Sequence, residues 1–193
     1  MSNFSKILQK KTLRWEILTK RKKLSARDVA VKSKVIENKL IKFLEKKDFK
    51  YFLIYLSVNN EVLTNDIIDY LVESGKKVYL PAFLKQDDIW IISEFKNFDD
   101  LESGLFNIYQ PKNPKFVDAE LIQAAILPGV AFDKKGSRLG YGKGVYDKLL
   151  AGFSGLKIGL AFDFQIVDGT VRESHDLIVD MVVGENSIIN NTT

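Results

Sequence analysis

Six consecutive apolar residues, YFLIYL at 51–56, constrain this chain more than any other stretch. A strand with one wet face alternates apolar and polar side chains, so an unbroken aromatic and branched run is expected of a strand covered on both faces. Such strands pair in parallel, and a parallel pair needs a crossover between its members. The crossover is legible: a polar loop at 57–61, Thr64 as a helix cap, then Ile67, Ile68, Leu71 and Val72 at helical spacing. Gly75 stops that helix and KVYL at 77–80 forms the next strand. Ligands are expected beyond the carboxyl ends of these strands, where residues 57–61 and 81–83 lie.

Two amphipathic helices precede this unit. Residues 5–24 place Ile7, Leu8, Leu13, Trp15, Ile17 and Leu18 at intervals of three and four. Ser25 then caps a second helix, with Asp28 in the capping-box position and apolar residues from Val29 to Leu44 on one face. After the crossover, residues 89–95 alternate as a strand, 98–114 is irregular and reads as a lid or packed meander, and 118–123 is a short helix. Strands follow at 124–127 and 157–162, with 178–183 as the last, and a helix spans 144–151. The pattern predicts an α/β fold: a three-layer sandwich on a mainly parallel sheet, with the helices of 1–48 packed on the core of a single 1–193 domain.

Composition removes several kinds of chemistry. Cysteine is absent and His175 is the sole histidine, so thiolate nucleophiles, disulfides and multi-histidine zinc sites are excluded. A soluble, cytoplasmic monomer is the expectation, with no membrane association. The net charge of +4 invites a nucleic-acid-binding reading, but the basic residues crowd the first fifty positions among apolar residues of helical period. By spacing alone they read as solvated helix faces.

The stretch 127–150, LPGVAFDKKGSRLGYGKGVYDKLL, carries the strongest functional signal. Gly140, Gly142 and Gly144 alternate before a helical run, so the backbone can approach a ligand closely and the helix start can face it. Lys143 adds a full charge, and Asp147 falls four residues later on the same face. A lysine for phosphate and a carboxylate for Mg²⁺ suit a nucleoside triphosphate. Neither common nucleotide loop fits. A Walker A loop needs glycine where Ser137 stands and Ser or Thr where Gly144 stands, and a GxGxxG begun at Gly140 meets Val145 at its last glycine. Taken alone, a glycine-rich connection without a ligand competes with the phosphate reading.

Four blocks in order give the chain a resemblance to the 5-formyltetrahydrofolate cyclo-ligase (5,10-methenyltetrahydrofolate synthetase) family. They are Lys10 and Arg14 in the first helix, YLSVNNEVLT around Glu61, the long glycine-rich segment, and Glu173, His175, Asp176 and Asp180 near the end. The resemblance implies conversion of 5-formyltetrahydrofolate and ATP to 5,10-methenyltetrahydrofolate, ADP and phosphate with Mg²⁺, through a phosphorylated formyl group. It implies that Lys10, Arg14, Arg138, Gly140, Tyr141, Gly142, Lys143, Gly144 and Tyr146 surround ATP and its phosphates. Lys143, Arg138 and Tyr146 would serve the chemistry, and Glu61, Tyr141, Val145 and Tyr146 the folate. Asp147 and Asp176 would hold the metal.

From the residues alone, Lys10 and Arg14 read as an exposed helix face, Glu61 as an exposed loop acid and Asp176 as a capping acid. Tyr146 reads equally well as core, and His175 and Asp180 as structural. The chain also departs from the family, with Tyr141 where arginine is common, Val145 where tyrosine is common and Phe106 where tryptophan often stands. The alternatives are another phosphate-ligand enzyme on the same fold, and a small basic nucleic-acid-binding protein.

Overall fold

The computed structural model describes residues 3–173 and 176–191. In chain order the helices are α1 (Asn3–Lys22), α2 (Ala26–Leu44), α3 (Asn65–Glu73) and α4 (Val145–Leu149). The strands are β1 (Tyr51–Leu53), β2 (Lys77–Leu84), β3 (Ile89–Glu94), β4 (Leu101–Ser103), β5 (Tyr109–Pro111), β6 (Ala124–Leu127), β7 (Ala131–Asp133), β8 (Arg138–Leu139), β9 (Leu156–Leu160), β10 (Ile166–Val167), β11 (Met181–Val183) and β12 (Ile188–Asn190). Among the described residues no helix is long and apolar enough to cross a membrane.

The central sheet has seven strands in the order β12-β11-β9-β6-β1-β2-β3. Its five inner strands are parallel, and the edge strands β3 and β12 run antiparallel to their neighbours. Phe52 to Tyr55 and all of β6 are consecutively buried, so both faces of the sheet are covered. The fold is therefore α/β with a mainly parallel sheet and a helical N-terminus, as the apolar runs predict. Beyond β1 the chain first adds β2 on one side and later β6 on the other. The order thus reverses between β1 and β6, and their carboxyl ends open the crevice where α/β sheets bind ligands.

Local signals explain most of the boundaries. The capping box forms: Asp28 N donates to Ser25 Oγ and Ser25 N to Asp28 Oδ2, both at 3.1 Å. Gly75 has φ of 70° and its N–H reaches Val72 O at 3.0 Å, closing α3. Thr64 occupies the N-cap position of α3 as expected, and its carbonyl accepts from Ile68 N at 3.0 Å, but its hydroxyl donates to Tyr55 O at 2.7 Å, inside the core, and makes no capping bond.

Other differences come from elements too short to show a period. Residues 98–114 contain an antiparallel hairpin of β4 and β5, tied to β2 where Phe83 N donates to Gln110 Oε1 at 2.9 Å. The stretch 118–123 keeps only a single 3₁₀ turn, Ala119–Leu121. β2 continues through Pro81, so 81–83 lies within a strand. The stretch 178–183 is not last, because β12 pairs with β11 at the edge. The segment between β6 and α4 forms a ribbon of β7 and β8, joined by β10. The helix expected over 144–151 is the five-residue α4, too short for a substantial dipole.

The Phe132 ring, fully buried, locks this ribbon against the sheet. A Cβ on Gly129 would lie 2.5 Å from that ring and one on Gly159 2.4 Å from it, so both glycines exist for close approach. Gly159→Ala is expected to lower stability by about 1–3 kcal/mol through overpacking. Combining it with Phe132→Leu should recover part of the loss in a denaturant double-mutant cycle. Strict additivity would show that the ring is not the obstacle.

A second prediction concerns Glu37, buried on α2, whose Oε1 accepts from Asp66 N at 3.2 Å. Burial, reinforced by the Asp66 charge, pushes its carboxyl up to about 7. The folded pKa lies above the unfolded value of about 4.3, so stability should fall as pH rises through that window. Urea midpoints across it should decline in the native chain and decline less in Glu37→Gln.

Candidate active site

A cavity of about 770 Å³ lies over the carboxyl ends of β1 and β6. Every site residue expected from the sequence borders it: Lys10 and Arg14 from α1, Glu61 from the loop after β1, and Arg138 with 140–147 from the ribbon, loop and α4. Asp176 lines it as well. His175, expected to be structural, lies outside the described residues.

The glycine-rich loop is shaped by backbone need and by its neighbours. Gly142 and Gly144 have φ of 90° and 65°, a region that penalises any Cβ. Arg14 Nε donates to Gly140 O at 2.8 Å, and a Cβ on Gly142 would sit 3.5 Å from the same guanidinium. Helix α1 therefore holds the loop directly. Lys143 is exposed, with its ammonium 5.3 Å from the centre of the Phe106 ring. It makes no hydrogen bond or ion pair among the described residues, so its charge is available to an incoming anion.

The other charges are already paired. Lys10 Nζ lies 2.7 Å from Asp176 Oδ2 and 2.5 Å from Glu173 Oε2, tying α1 to the chain's end. Burial alone would lower the Lys10 pKa, but its bonds to Asp176 and Glu173 outweigh that and raise it. Arg138, expected to wrap phosphate, grips Asp147 instead. Its NH2 stands 3.1 Å from both carboxylate oxygens, and its guanidinium lies 5.6 Å from the Tyr146 ring centre. Asp147 Oδ1 also accepts from Leu177 N at 3.0 Å. Asp180 is structural, bound to Lys157 N at 2.7 Å and Lys157 Nζ at 3.0 Å.

Glu61, also on the cavity wall, is 4 % exposed, far from the exposed loop acid that its sequence position suggests. Its Oε2 accepts from Val58 N at 3.1 Å and its Oε1 from the Tyr141 hydroxyl at 2.7 Å. Burial pushes its carboxyl up, opposed by the Arg21 charge and these two bonds. Burial likewise raises the phenols of Tyr55, Tyr141 and Tyr146, so all three remain protonated. Tyr146 belongs both to the core and to the cavity wall, while Val145 is half-buried beside it.

Arg21 is the residue that sequence reasoning missed. It is 1 % exposed, donates through NH2 to the Tyr141 hydroxyl and stands 4.0 Å from Glu61 Oε1. Positions 10, 14, 17 and 21 form one helical stripe, and Ile17 on it is buried. That spacing was the available signal, masked because charged residues on a helix read by default as solvated.

The sequence profile of the 5-formyltetrahydrofolate cyclo-ligase family matches residues 6–185. A probable 5-formyltetrahydrofolate cyclo-ligase of Caenorhabditis elegans is 34% identical over 176 residues, covering 83% of this chain and 82% of the relative. The 5-formyltetrahydrofolate cyclo-ligase of Mus musculus is 30% identical over 191 residues, covering 92% and 94%. The solved structure of Aquifex aeolicus 5,10-methenyltetrahydrofolate synthetase superposes with a TM-score of 0.84 at 30% identity, covering 95% of this chain and 93% of that one.

The Lys10 tie yields a test of the architecture. Lys10→Met is expected to lower stability by about 1–3 kcal/mol, the range for a hydrogen-bonded charge. Amide exchange should quicken along α1. Unchanged exchange there would mean that the tie does not hold the helix.

Proposed function

This chain belongs to the 5-formyltetrahydrofolate cyclo-ligase family, and on that premise we propose that it closes 5-formyltetrahydrofolate to 5,10-methenyltetrahydrofolate at the expense of ATP. One observation carries the reading: a single cavity is lined both by a lysine on a glycine loop, unpaired among the described residues, and by a buried carboxylate. The first suits phosphate, the second a ring bearing N–H donors.

The formyl oxygen is a poor leaving group and needs activation. In the proposed reaction it attacks the γ-phosphorus, forming an O–P bond as the bond to ADP breaks. N10 then adds to the formyl carbon and loses its proton. The C–O bond breaks, and phosphate departs with the bonding pair. No protein nucleophile is needed; the protein must hold oxygen and phosphorus in line and offset charge. Lys143 and the remaining donors of Arg14 face the phosphates. Arg138 and Tyr146 hold the loop and α4 in register, with Arg138 bound to Asp147. Glu61 accepts from the pterin, and Tyr141, Val145 and Tyr146 line the folate side.

Mg²⁺ fits the donor set, since Asp147 and Asp176 present hard oxygen atoms to the same cavity. Among the described residues no cluster of three acidic or histidine groups gathers there, so substrate phosphates and water would complete its shell. The ion would shield phosphate charge. The nucleic-acid alternative loses support because Lys10, Arg14 and Arg21 turn inward, away from any groove-facing surface.

The purified protein is expected to generate the methenyl chromophore from 5-formyltetrahydrofolate only with ATP, and EDTA should abolish the signal. Lys143→Ala, at an exposed position, should fold normally and lose about 10²-fold or more in kcat/KM. No turnover by the native chain at saturating Mg-ATP would remove the proposal.

A further inference from the structure

The buried arginine on the last turn of α1 has no role in the reaction as outlined. Arg21 sits behind the cavity wall, and two of its donor atoms, Nε and NH1, have no hydrogen-bond partner among the described residues. A buried donor left without a partner is unfavourable to the fold. An apolar side chain of similar shape would serve stability as well or better. A contribution to folding therefore does not account for a charge at this position.

Its contacts do. The NH2 group donates to the Tyr141 hydroxyl, and the guanidinium lies 5.4 Å from the centre of the same ring. Arginine has donors only, so Tyr141 must accept from Arg21 and send its one hydrogen to Glu61 Oε1. The direction of that bond is thereby set from α1. NH1 is too distant from Glu61 for a hydrogen bond at 4.0 Å but close enough to stabilise its negative charge. The same turn also fixes the loop that carries Glu61. Asn60 Nδ2 donates to Arg21 O at 3.2 Å and Leu24 O at 3.0 Å, and Asn59 and Asn60 both adopt positive φ.

We infer that Arg21 is a positioning residue for the folate end of the site, holding the Tyr141 and Glu61 pair as one oriented acceptor for the N–H edge of the pterin. The inference rests on the cyclo-ligase reading, in which Glu61 meets the pterin. Arg21 touches no substrate; it acts through Tyr141 and Glu61. The groups facing Glu61 are Arg21 from α1, Tyr55 beyond β1, Tyr141 from the glycine loop and Tyr146 from α4. The tyrosines stay neutral, so Arg21 is the one cation among these groups. Burial drives Glu61 toward its protonated form and Arg21 opposes it. Without Arg21 the carboxyl should hold its proton to higher pH, turning one of its two acceptor oxygens into a donor.

Calorimetric titration of the full chain with 5-formyltetrahydrofolate, and separately with Mg-ADP, tests this across pH. Arg21→Met is expected to keep or raise the melting midpoint and to weaken folate binding at least tenfold at neutral pH. The acid limb of folate binding should move to higher pH, and Mg-ADP affinity should change less than threefold. Arg21→Lys should return the limb part of the way. Should Arg21→Met fail to fold, Tyr141→Phe removes the linking hydroxyl at an exposed ring and should weaken folate binding likewise. Native folate affinity and an unmoved limb in these variants would overturn the inference, as would equal loss of both ligands with a lowered midpoint. A native chain that binds Mg-ADP but no 5-formyltetrahydrofolate would overturn the cyclo-ligase reading and the inference together.

Discussion

Three cations on one stripe of a twenty-residue helix cannot turn inward unless something meets them, and in this protein every side-chain hydrogen bond they make here reaches the far half of the chain. Lys10 finds Glu173 and Asp176, Arg14 finds the carbonyl of Gly140, and Arg21 finds Tyr141. Helix α1 is thus one wall of the cavity, and the wall exists only when the loops at its opposite side are in place. The same contacts set the glycine loop, because Arg14 grips its backbone while Arg21 holds the tyrosine between its first two glycines.

The sheet decides where this assembly happens. The reversal between β1 and β6 leaves two adjacent carboxyl ends without a covering crossover, and the loops after both strands meet there. The loop after β1 brings Glu61, fixed by Val58 and Asn60; the segment after β6 brings the β7 and β8 ribbon and then the glycines. Because α4 has five residues, an anion at this site would meet side-chain charge more than a helix dipole. The distribution is asymmetric. Lys143 is left for a ligand, while Lys10 and Arg138 are held by carboxylates that also face the cavity.

Legibility in the sequence followed the length of each element. The runs at 51–56 and 124–127 announced a doubly covered parallel sheet because burial on two faces removes all polar alternation, and the structure buries both. The ribbon strand Arg138–Leu139 and the edge strand Ile188–Asn190 are too short to display a period, so the sequence announced neither. Thr64 read as a cap by residue type, whereas its hydroxyl serves Tyr55. The site was partly legible: glycine and lysine spacing pointed to phosphate, and the family resemblance supplied Lys10, Arg14, Glu61 and Asp176. Arg21 lay on the same stripe, seven residues from Arg14, but no rule of spacing distinguishes a buried arginine from a solvated one. Its burial depends on Tyr141, which is 120 residues away in sequence.

The central claim is that one cavity receives both a nucleotide and a reduced folate, with phosphate at Lys143 and pterin at Glu61. A crystal structure with Mg-ADP and 5-formyltetrahydrofolate bound tests it most directly. Both ligands are expected in the cavity between β1 and β6, the β-phosphate beside Lys143 and the N–H edge of the pterin on Glu61, with the formyl group between them. A nucleotide seated on the outer lysine-rich face of the first helices, or a folate whose pterin lies away from Glu61, would contradict it.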